Sequence, residues 1–276
     1  MSRWHHAFVT AAVLVAAAGP ARAERSSAEV AGFRGKARSA LQPSSTPAAA
    51  EPARLARARE RVLGRVRALF EEAKAAYPPR PLLLRAFKQE GLLELWAEPS
   101  AGARYVKIKA WPICARSGAP GPKRRAGDEQ VPEGFYRISQ LNPWSNFHLS
   151  LRVDYPNRAD RILGSKADPG GDIFIHGGCV TIGCLPLGDA AIEELYVIAA
   201  DALKAGSRLD VHLFPARLDE AGVKALAPLA RGDSKVIGLW MQLREGFDRF
   251  EQTGRPAAFR VDNEGRYVFT ESAGRQ

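Results

Sequence analysis

The spacing of apolar positions divides the chain into a helical segment, a strand-rich middle and a second helical segment. Between residues 54 and 80, apolar side chains recur every three or four positions and arginines occupy the other faces, which predicts a basic amphipathic helix ended by a pair of prolines. From residue 82 onward, short β-prone runs alternate with turn residues, which predicts strands. The predicted strands are residues 82–88, 92–97, 105–111, 135–138, 147–153, 173–175 and 209–214.

Few helices separate the predicted strands, which favours an antiparallel or mixed sheet over a βαβ array. One clear helix, at residues 190–205, follows a cysteine-bearing loop, and Asp189 is its expected N-terminal cap. Residues 117–133 form a long loop, and loops of this length in compact domains are often lids or walls of binding sites. In the C-terminal part, the spacing of apolar residues predicts helices at 218–229 and 236–250, followed by a small hairpin.

The patterns define five regions of different composition. Residues 1–23 combine a cationic start, an apolar stretch and an Ala-Arg-Ala end, which indicates a secretory signal peptide cleaved after Ala23. Residues 24–53 are rich in Ser, Ala and Pro without periodicity, which predicts a disordered linker. The remaining regions are the basic helix (54–80), a β-rich mixed α+β domain (81–216) and a C-terminal helical and hairpin extension (217–276).

Composition and charge narrow the classes of function. The chain has 276 residues, of which 46% are hydrophobic and 25% charged, as in globular proteins with a sizeable core. No later segment has about 20 uninterrupted apolar residues, so no stable membrane span is expected after processing. Removal of residues 1–23 deletes two arginines and no acid, which lowers the formal charge from +10 to +8.

An exported protein does not meet intracellular nucleic acid, so the positive charge favours an anionic partner outside the cytoplasm. We interpret the arginines of the basic helix as the solvated face of a helix that packs on the next domain. A nucleic-acid arm or a membrane-surface helix is the alternative interpretation.

The residues that could carry chemistry are concentrated between residues 172 and 186. An apolar strand leads to His176 and a glycine-rich loop, and Cys184 follows eight residues later, just ahead of a helix. A cysteine nucleophile needs a nearby base to form thiolate and backbone N–H groups to hold an oxyanion. Glycines in the loop let the backbone approach a substrate closely. The spacing therefore predicts a cysteine–histidine acyl-transfer site.

Other interpretations of the cysteines stay open at this point. His176, Cys179 and Cys184 could ligate zinc, although the C-x4-C spacing fits a zinc finger poorly. Cys179 and Cys184 could form a local disulfide, or the cysteines could be small buried apolar residues. Three cysteines leave one odd thiol in an oxidising compartment. If Cys184 is the nucleophile, it must stay free, and Cys114 and Cys179 either pair with each other or stay buried. A catalytic Cys184 is expected to react with alkylating reagents below the ordinary thiol pKa of about 8.5.

Several motifs resemble one known family. The runs His176-Gly177 and Thr181-Ile182-Gly183-Cys184 are similar to the H-G…[ST]-x-G-C signature of the YkuD-type L,D-transpeptidase catalytic domain. Upstream, Gly127-Asp128 and Val131-Pro132-Glu133-Gly134-Phe135-Tyr136 resemble the P-x-G-x-Y strand entry of that family. The resemblance covers roughly residues 82–215. The runs closest to its YafK-like branch are 105–114, 121–123, 147–151 and 175–184.

The resemblance implies a sandwich or barrel core with the cysteine in a cleft, and an enzyme that acts on peptidoglycan stem peptides without a metal or other cofactor. Cys184 would form a thioester at the L-centre carbonyl of the diamino acid, and His176 would be the base and later the acid. The Gly177 carbonyl would orient the imidazole, and backbone N–H groups around Gly183 and Cys184 would hold the oxyanion. The predicted substrate-binding or oxyanion residues are Gly183, Thr181 and His148.

The other two histidines could belong to the cleft or have a structural role. His148 would line the cleft or would be a satisfied sheet histidine, and the sequence leaves both open. His212 lies in an alternating strand and is expected to be structural.

The chain departs from the family pattern after the cysteine. The family commonly has Arg or Asn two residues later, whereas Leu185 and Pro186 follow Cys184 here. YafK-like relatives share this lack and include members that hydrolyse links between wall and protein.

The predicted function is transfer of the acyl group to an amine in the periplasm or cell envelope, with roles in wall biogenesis and cell shape. One alternative is hydrolysis by the same site, as a carboxypeptidase or amidase, with a wall-linked envelope protein as a partner. The other is a non-catalytic wall-binding module.

Overall fold

A computed structural model describes residues 51–270, so the predicted signal peptide and nearly all of the predicted linker lie outside the described residues. In this part of the chain the helices are α1 (Ala53–Glu72), α2 (Arg158–Leu163), α3 (Asp189–Lys204), α4 (Glu220–Leu226) and α5 (Ser234–Thr253). The strands are β1 (Leu82–Phe87), β2 (Leu92–Ala97), β3 (Val106–Pro112), β4 (Gly134–Asn142), β5 (Ser150–Val153), β6 (Phe174–His176), β7 (Leu185–Pro186), β8 (Leu209–Phe214), β9 (Phe259–Val261) and β10 (Tyr267–Phe269).

Eight of these strands form one curled sheet in the order β3-β2-β1-β8-β4-β5-β6-β7. Strands β1 and β8 run parallel, as do β6 and β7, and the other neighbours are antiparallel. The mixed α+β fold and the mixed sheet are therefore confirmed.

The long strand β4 connects two halves of the sheet. Residues 134–137 pair with β8, whereas Ile138 to Asn142 pair with β5. The register shifts between Ile138 and Gln140, and such irregularities bend a strand and increase its twist. The short strands β5, β6 and β7 therefore form a separate edge of the sheet, and the cysteine-bearing loop lies there.

The basic helix is shorter than predicted and its arginines are not simply solvated. Helix α1 ends at Glu72, and Lys74 has a left-handed backbone with φ of 53°. Arg59 forms a bidentate pair with Asp201 of α3 at 2.7 and 2.8 Å, and Arg61 pairs with Glu193 of α3. The helix thus docks on α3 through both ion pairs and an apolar face. The buried residues of that face are Leu55, Ala58, Val62, Val66 and Phe70.

The C-terminal extension packs on the sheet through aromatic rings. Phe247 of α5 lies edge-on to Phe87 and Phe214, and Tyr267 of β10 lies edge-on to Phe135 at 4.9 Å. The predicted 218–229 helix is instead α4 followed by a 3-10 turn that contains Pro228, because proline cannot donate the backbone hydrogen bond of a continuing α-helix. No helix among residues 51–270 is both long and apolar enough to cross a membrane.

Candidate active site

The glycine-rich loop begins and ends on two neighbouring strands. Strand β6 ends at His176, and β7 begins directly after Cys184. The two strands pair in parallel, with Ile175 opposite Leu185 and His176 opposite Pro186. This register places Cys184 beside the strand that carries His176, so the two predicted catalytic residues share one end of the sheet.

His176 is buried and held in one orientation. Its Nδ1 lies 2.5 Å from the carbonyl oxygen of Gly177, and its ring lies against the ring of Phe147 with 4.7 Å between centroids. Because a carbonyl oxygen only accepts, Nδ1 must carry the proton, and this assigns an unprotonated Nε2 to the neutral ring. Burial lowers the pKa of His176 below its ordinary 6.5, although the Gly177 carbonyl opposes this shift. The ring is therefore a neutral base at pH 7.

Gly177 is required by close packing. A Cβ at this position would lie 2.6 Å from Asp189 Oδ1 and 2.7 Å from the carbonyl oxygen of Phe147. The Asp189 carboxylate also accepts a hydrogen bond from the Gly178 N–H at 2.8 Å. Asp189 was expected to cap α3, but Gly188 is the N-cap residue and Asp189 holds the catalytic loop. The helix-start pattern explains why sequence reasoning assigned Asp189 to the cap.

Cys184 is the free cysteine of the described residues, and its thiol is protonated at rest. Its Sγ accepts from the Phe174 N–H at 3.4 Å and donates to the Asp172 carbonyl at 3.6 Å. Burial raises the pKa of the Cys184 thiol above its ordinary 9.0, although the Phe174 N–H opposes this shift. This direction is opposite to the lowered thiol pKa expected from the sequence. At pH 7 Cys184 is therefore mainly a thiol, and His176 is a neutral imidazole.

This resting state predicts the pH dependence of Cys184 alkylation. Because the pKa of the thiol is raised, the thiolate fraction at pH 7 is small, and the alkylation rate constant should keep rising above pH 9. Iodoacetamide labelling of the folded protein, quantified by peptide mass spectrometry, gives this profile. A small-molecule thiol in the same tubes is the control. A plateau reached below pH 8 would contradict the protonated resting state.

The backbone N–H groups expected to form the oxyanion hole are already paired. The Gly183 N–H donates to Ser117 Oγ at 2.6 Å, and the Cys184 N–H donates to Thr181 Oγ1 at 2.9 Å. The Thr181 hydroxyl in turn donates to the Cys184 carbonyl at 2.8 Å. Thr181 therefore fixes the backbone of Cys184, whereas Gly183 is held by the long loop. Sequence reasoning missed Ser117, since no spacing signal relates it to a residue 66 positions later.

The long loop predicted as a wall of the binding site lines a cavity beside Cys184. The cavity has a volume of ≈ 170 Å³, and residues 115–120 form one of its sides. Lys88 also lines it, but its ammonium group is occupied by the Gly121 and Val131 carbonyls and by the Glu133 carboxylate, each at 2.9 Å. Arg116 lines the same cavity, with one nitrogen donating to the Gln89 carbonyl.

Comparisons with known proteins bear on this arrangement. The sequence profile of the L,D-transpeptidase catalytic domain (YkuD) matches residues 97–211. YafK of Escherichia coli strain K12, whose L,D-transpeptidase designation is provisional, is 35% identical over 201 residues, which cover 72% of this chain and 77% of YafK. The chain belongs to the L,D-transpeptidase family. The resemblance of its motifs is thereby confirmed.

Solved structures similar to this L,D-transpeptidase-family chain have low sequence identity to it. The helical cell shape determining protein Pgp2 from Campylobacter jejuni is 16% identical with a TM-score of 0.43, covering 72% of this chain and 80% of Pgp2. L,D-transpeptidase 1 of Mycobacterium tuberculosis is 12% identical with a TM-score of 0.28, covering 49% of this chain and 62% of that one.

A disulfide joins the segment just before the long loop of this family member to its glycine-rich loop. Cys114 and Cys179 are bonded, with 5.5 Å between their Cα atoms. The Cys114 N–H also donates to the Pro186 carbonyl at 3.0 Å, which attaches the loop to β7. The pairing decides between the alternatives left open by the sequence. It excludes a Cys179–Cys184 disulfide and the zinc site that required a Cys179 thiolate.

Loss of this disulfide should lower stability measurably. Replacement of Cys114 and Cys179 with alanine should lower the free energy of unfolding by about 2–4 kcal/mol, because the unfolded chain regains the entropy that the crosslink removes. Urea unfolding of the double variant and of the oxidised wild type measures the difference. Reduced wild type should match the double variant, and equal unfolding midpoints for all three proteins would contradict the prediction.

The other two histidines lie away from the Cys184 cavity. His148 Nε2 is 2.7 Å from Glu193 Oε1, and the residue lines a separate cavity next to Arg54 and Arg57 of α1. Its φ of 67° turns the chain just before β5, so it does not continue the predicted 147–153 strand. His212 is buried in β8 as expected of a structural residue, and burial lowers its pKa to about 3.

Proposed function

We propose that this protein is an exported L,D-transpeptidase that acts on peptidoglycan stem peptides. Cys184 is acylated by the L-centre carbonyl of the diamino acid, and the acyl group passes to an amine. The observation that carries this proposal is the buried neutral His176, whose Nδ1 is held by the Gly177 carbonyl on the strand next to Cys184. Such a base can accept the proton of a thiol that is not ionised at rest.

The reaction balances with these two side chains alone. The Cys184 sulfur forms a bond to the carbonyl carbon, its proton moves to Nε2 of His176, and the carbonyl π electrons move to oxygen. Collapse of the tetrahedral intermediate breaks the C–N bond, and the leaving amine takes the proton from His176. The acceptor amine then attacks the thioester and gives its proton to His176. The new C–N bond forms, the C–S bond breaks, and the proton passes from His176 to the Cys184 thiolate.

Export is supported by two independent features. Residues 1–23 have the pattern of a secretory signal peptide, although they lie outside the described residues. The Cys114–Cys179 disulfide suits an oxidising compartment such as the periplasm. A stem peptide of the wall is the substrate that such a location makes available.

Hydrolysis by the same site is the second candidate function. Leu185 is buried, and Pro186 pairs with His176 in β7, so the positions that follow Cys184 present no charged side chain to an acceptor. Water would then attack the thioester in place of the amine, as a carboxypeptidase or as an amidase that cleaves a link between wall and envelope protein.

Arg116 is the residue we expect to replace the absent charged position after Cys184. Arg116 lines the Cys184 cavity, and its guanidinium can bind a carboxylate of the stem peptide. Arg116→Ala should raise KM about tenfold and change kcat little, because the contact is made equally in the ground and transition states. Arg116→Lys should recover part of the affinity.

Arg125→Ala is the matched control for Arg116, since Arg125 is an exposed arginine of the same loop that does not line the cavity. Steady-state kinetics on a synthetic stem peptide separates the two variants. An Arg116→Ala enzyme with the wild-type KM would contradict the assignment.

The experiment that tests the function is product analysis on purified muropeptides with and without an added amine acceptor. Transpeptidation predicts a crosslinked product whose yield rises with acceptor concentration. Products of hydrolysis alone, at every acceptor concentration, would favour the second candidate. A protein that binds wall fragments without altering them would be a wall-binding module and would overturn both.

A further inference from the structure

The tetrahedral intermediate of the proposed reaction needs a hydrogen-bond donor for its oxyanion, and the two backbone N–H groups expected to supply it are already paired. The Gly183 and Cys184 N–H groups both donate to side-chain hydroxyls, at 2.6 and 2.9 Å. A preformed donor in a site of this kind is worth about 10²–10³ in rate. Another group that faces the cavity must therefore supply it.

Most polar groups around the cavity are committed elsewhere. The three acceptors around the Lys88 ammonium account for its three protons. The Ala119 N–H donates to the Gln130 side chain at 3.1 Å. Ser117 carries the one hydroxyl among the described residues that line the Cys184 cavity.

The bonding of Ser117 leaves its proton available. Ser117 Oγ accepts from the Gly183 N–H, so its own O–H proton is free to be donated. A hydroxyl that accepts one hydrogen bond is polarised and becomes a better donor of the next. The Gly183 N–H then acts on the oxyanion through Ser117 rather than directly.

We propose that the Ser117 hydroxyl is the oxyanion-hole donor of this enzyme, an assignment that rests on the proposed function of Cys184. When the sulfur bonds to the carbonyl carbon, the carbonyl oxygen gains the π electron pair and accepts the Ser117 hydrogen bond. No proton is transferred from Ser117. When the C–N bond breaks, the electron pair returns to the carbonyl and the hydrogen bond weakens.

The opposite role for Ser117 makes the opposite prediction. If Ser117 only occupies the Gly183 N–H and must leave before a substrate binds, its removal exposes that N–H as the donor. Ser117→Ala would then be as fast as the wild type or faster. If Ser117 is the donor, Ser117→Ala should slow acylation of Cys184 about 10²–10³-fold with KM changed little.

The test is a single-turnover measurement of Cys184 acylation by a synthetic stem peptide, followed by intact-protein mass spectrometry. Ser117→Thr keeps the hydroxyl, so its acylation rate should stay within about tenfold of the wild-type rate. Valine has nearly the same shape as threonine but no hydroxyl, so Ser117→Val should acylate as slowly as Ser117→Ala. Ser165→Ala is the matched control, because Ser165 Oγ also accepts a loop N–H, from Asp168 at 3.2 Å, but does not line the cavity. It should acylate at the wild-type rate.

The comparison of threonine with valine at position 117 keeps the result interpretable if alanine loosens the loop. Each variant is first checked for the Cys114–Cys179 disulfide and for cooperative unfolding. Equal acylation rates for Ser117→Thr and Ser117→Val, or a Ser117→Ala rate at or above that of the wild type, would overturn the role of Ser117 alone. A wild-type protein that forms no adduct at Cys184 would instead overturn the proposed function.

Discussion

Replacement of Cys184 with alanine should abolish turnover, lowering kcat by roughly 10⁶-fold, the scale seen when a nucleophile is removed from an acyl-transfer triad. The effect is this large because the acyl group is carried on sulfur, and no other free thiol is present in the described part of the chain. The remaining cysteines are bonded to each other, so neither can replace it.

Steady-state assays on stem peptides measure this loss, and binding of the same peptide measures what remains. Cys184→Ala should bind substrate with an affinity near that of the wild type, since alanine removes only the sulfur from a cavity lined mainly by the long loop. Substantial turnover by Cys184→Ala would show that the chemistry uses another group. Binding without turnover in the wild type would identify a wall-binding module.

Replacement of His176 with alanine should lower kcat about 10²–10⁴-fold, the usual contribution of a positioned general base and acid. The thiol is mainly protonated at pH 7, because burial raises its pKa, so attack without a base is slow. Since the pKa of His176 is lowered by burial, its neutral form should persist below pH 6.5. In the wild type, the midpoint of the acidic limb of the kcat/KM profile should therefore lie below pH 6.5. In His176→Ala this limb should be absent.

Alkylation supplies the control for His176→Ala. At pH values above the pKa of the thiol, Cys184 ionises without help, and iodoacetamide should label the variant as completely as the wild type. Complete labelling with lost turnover would assign the defect to proton transfer. An acidic limb that persists unchanged in His176→Ala would contradict the role of His176 as the base.

Local patterns in the sequence were sufficient for seven of the eight strands of the sheet and for the position of the glycine-rich loop. Strands β2 and β8 and both strands of the C-terminal hairpin have the predicted bounds, because their alternating β-prone runs are closed by clear turn residues. Strand β4 is longer than predicted because pairing with both β8 and β5 extends it beyond Ile138.

Contacts between distant parts of the chain could not be predicted in the same way. The Cys114–Cys179 bond spans 65 residues, and the hydrogen bond from Gly183 to Ser117 depends on how the long loop folds back over β7. The sequence left His148 between a position in the cleft and one in the sheet, and its left-handed backbone and its pairing with Glu193 depend on tertiary contacts. No periodicity in the sequence encodes such tertiary partners.

The central claim is that Cys184 carries the acyl group, and trapping the intermediate tests it most directly. Wild-type protein mixed with a stem peptide and quenched in acid, where thioesters persist, should gain the mass of the acyl fragment. Tandem mass spectrometry should locate that mass on Cys184, and Cys184→Ala should gain none. Product formation by the wild type without any adduct at Cys184, or an adduct at another residue, would contradict the account.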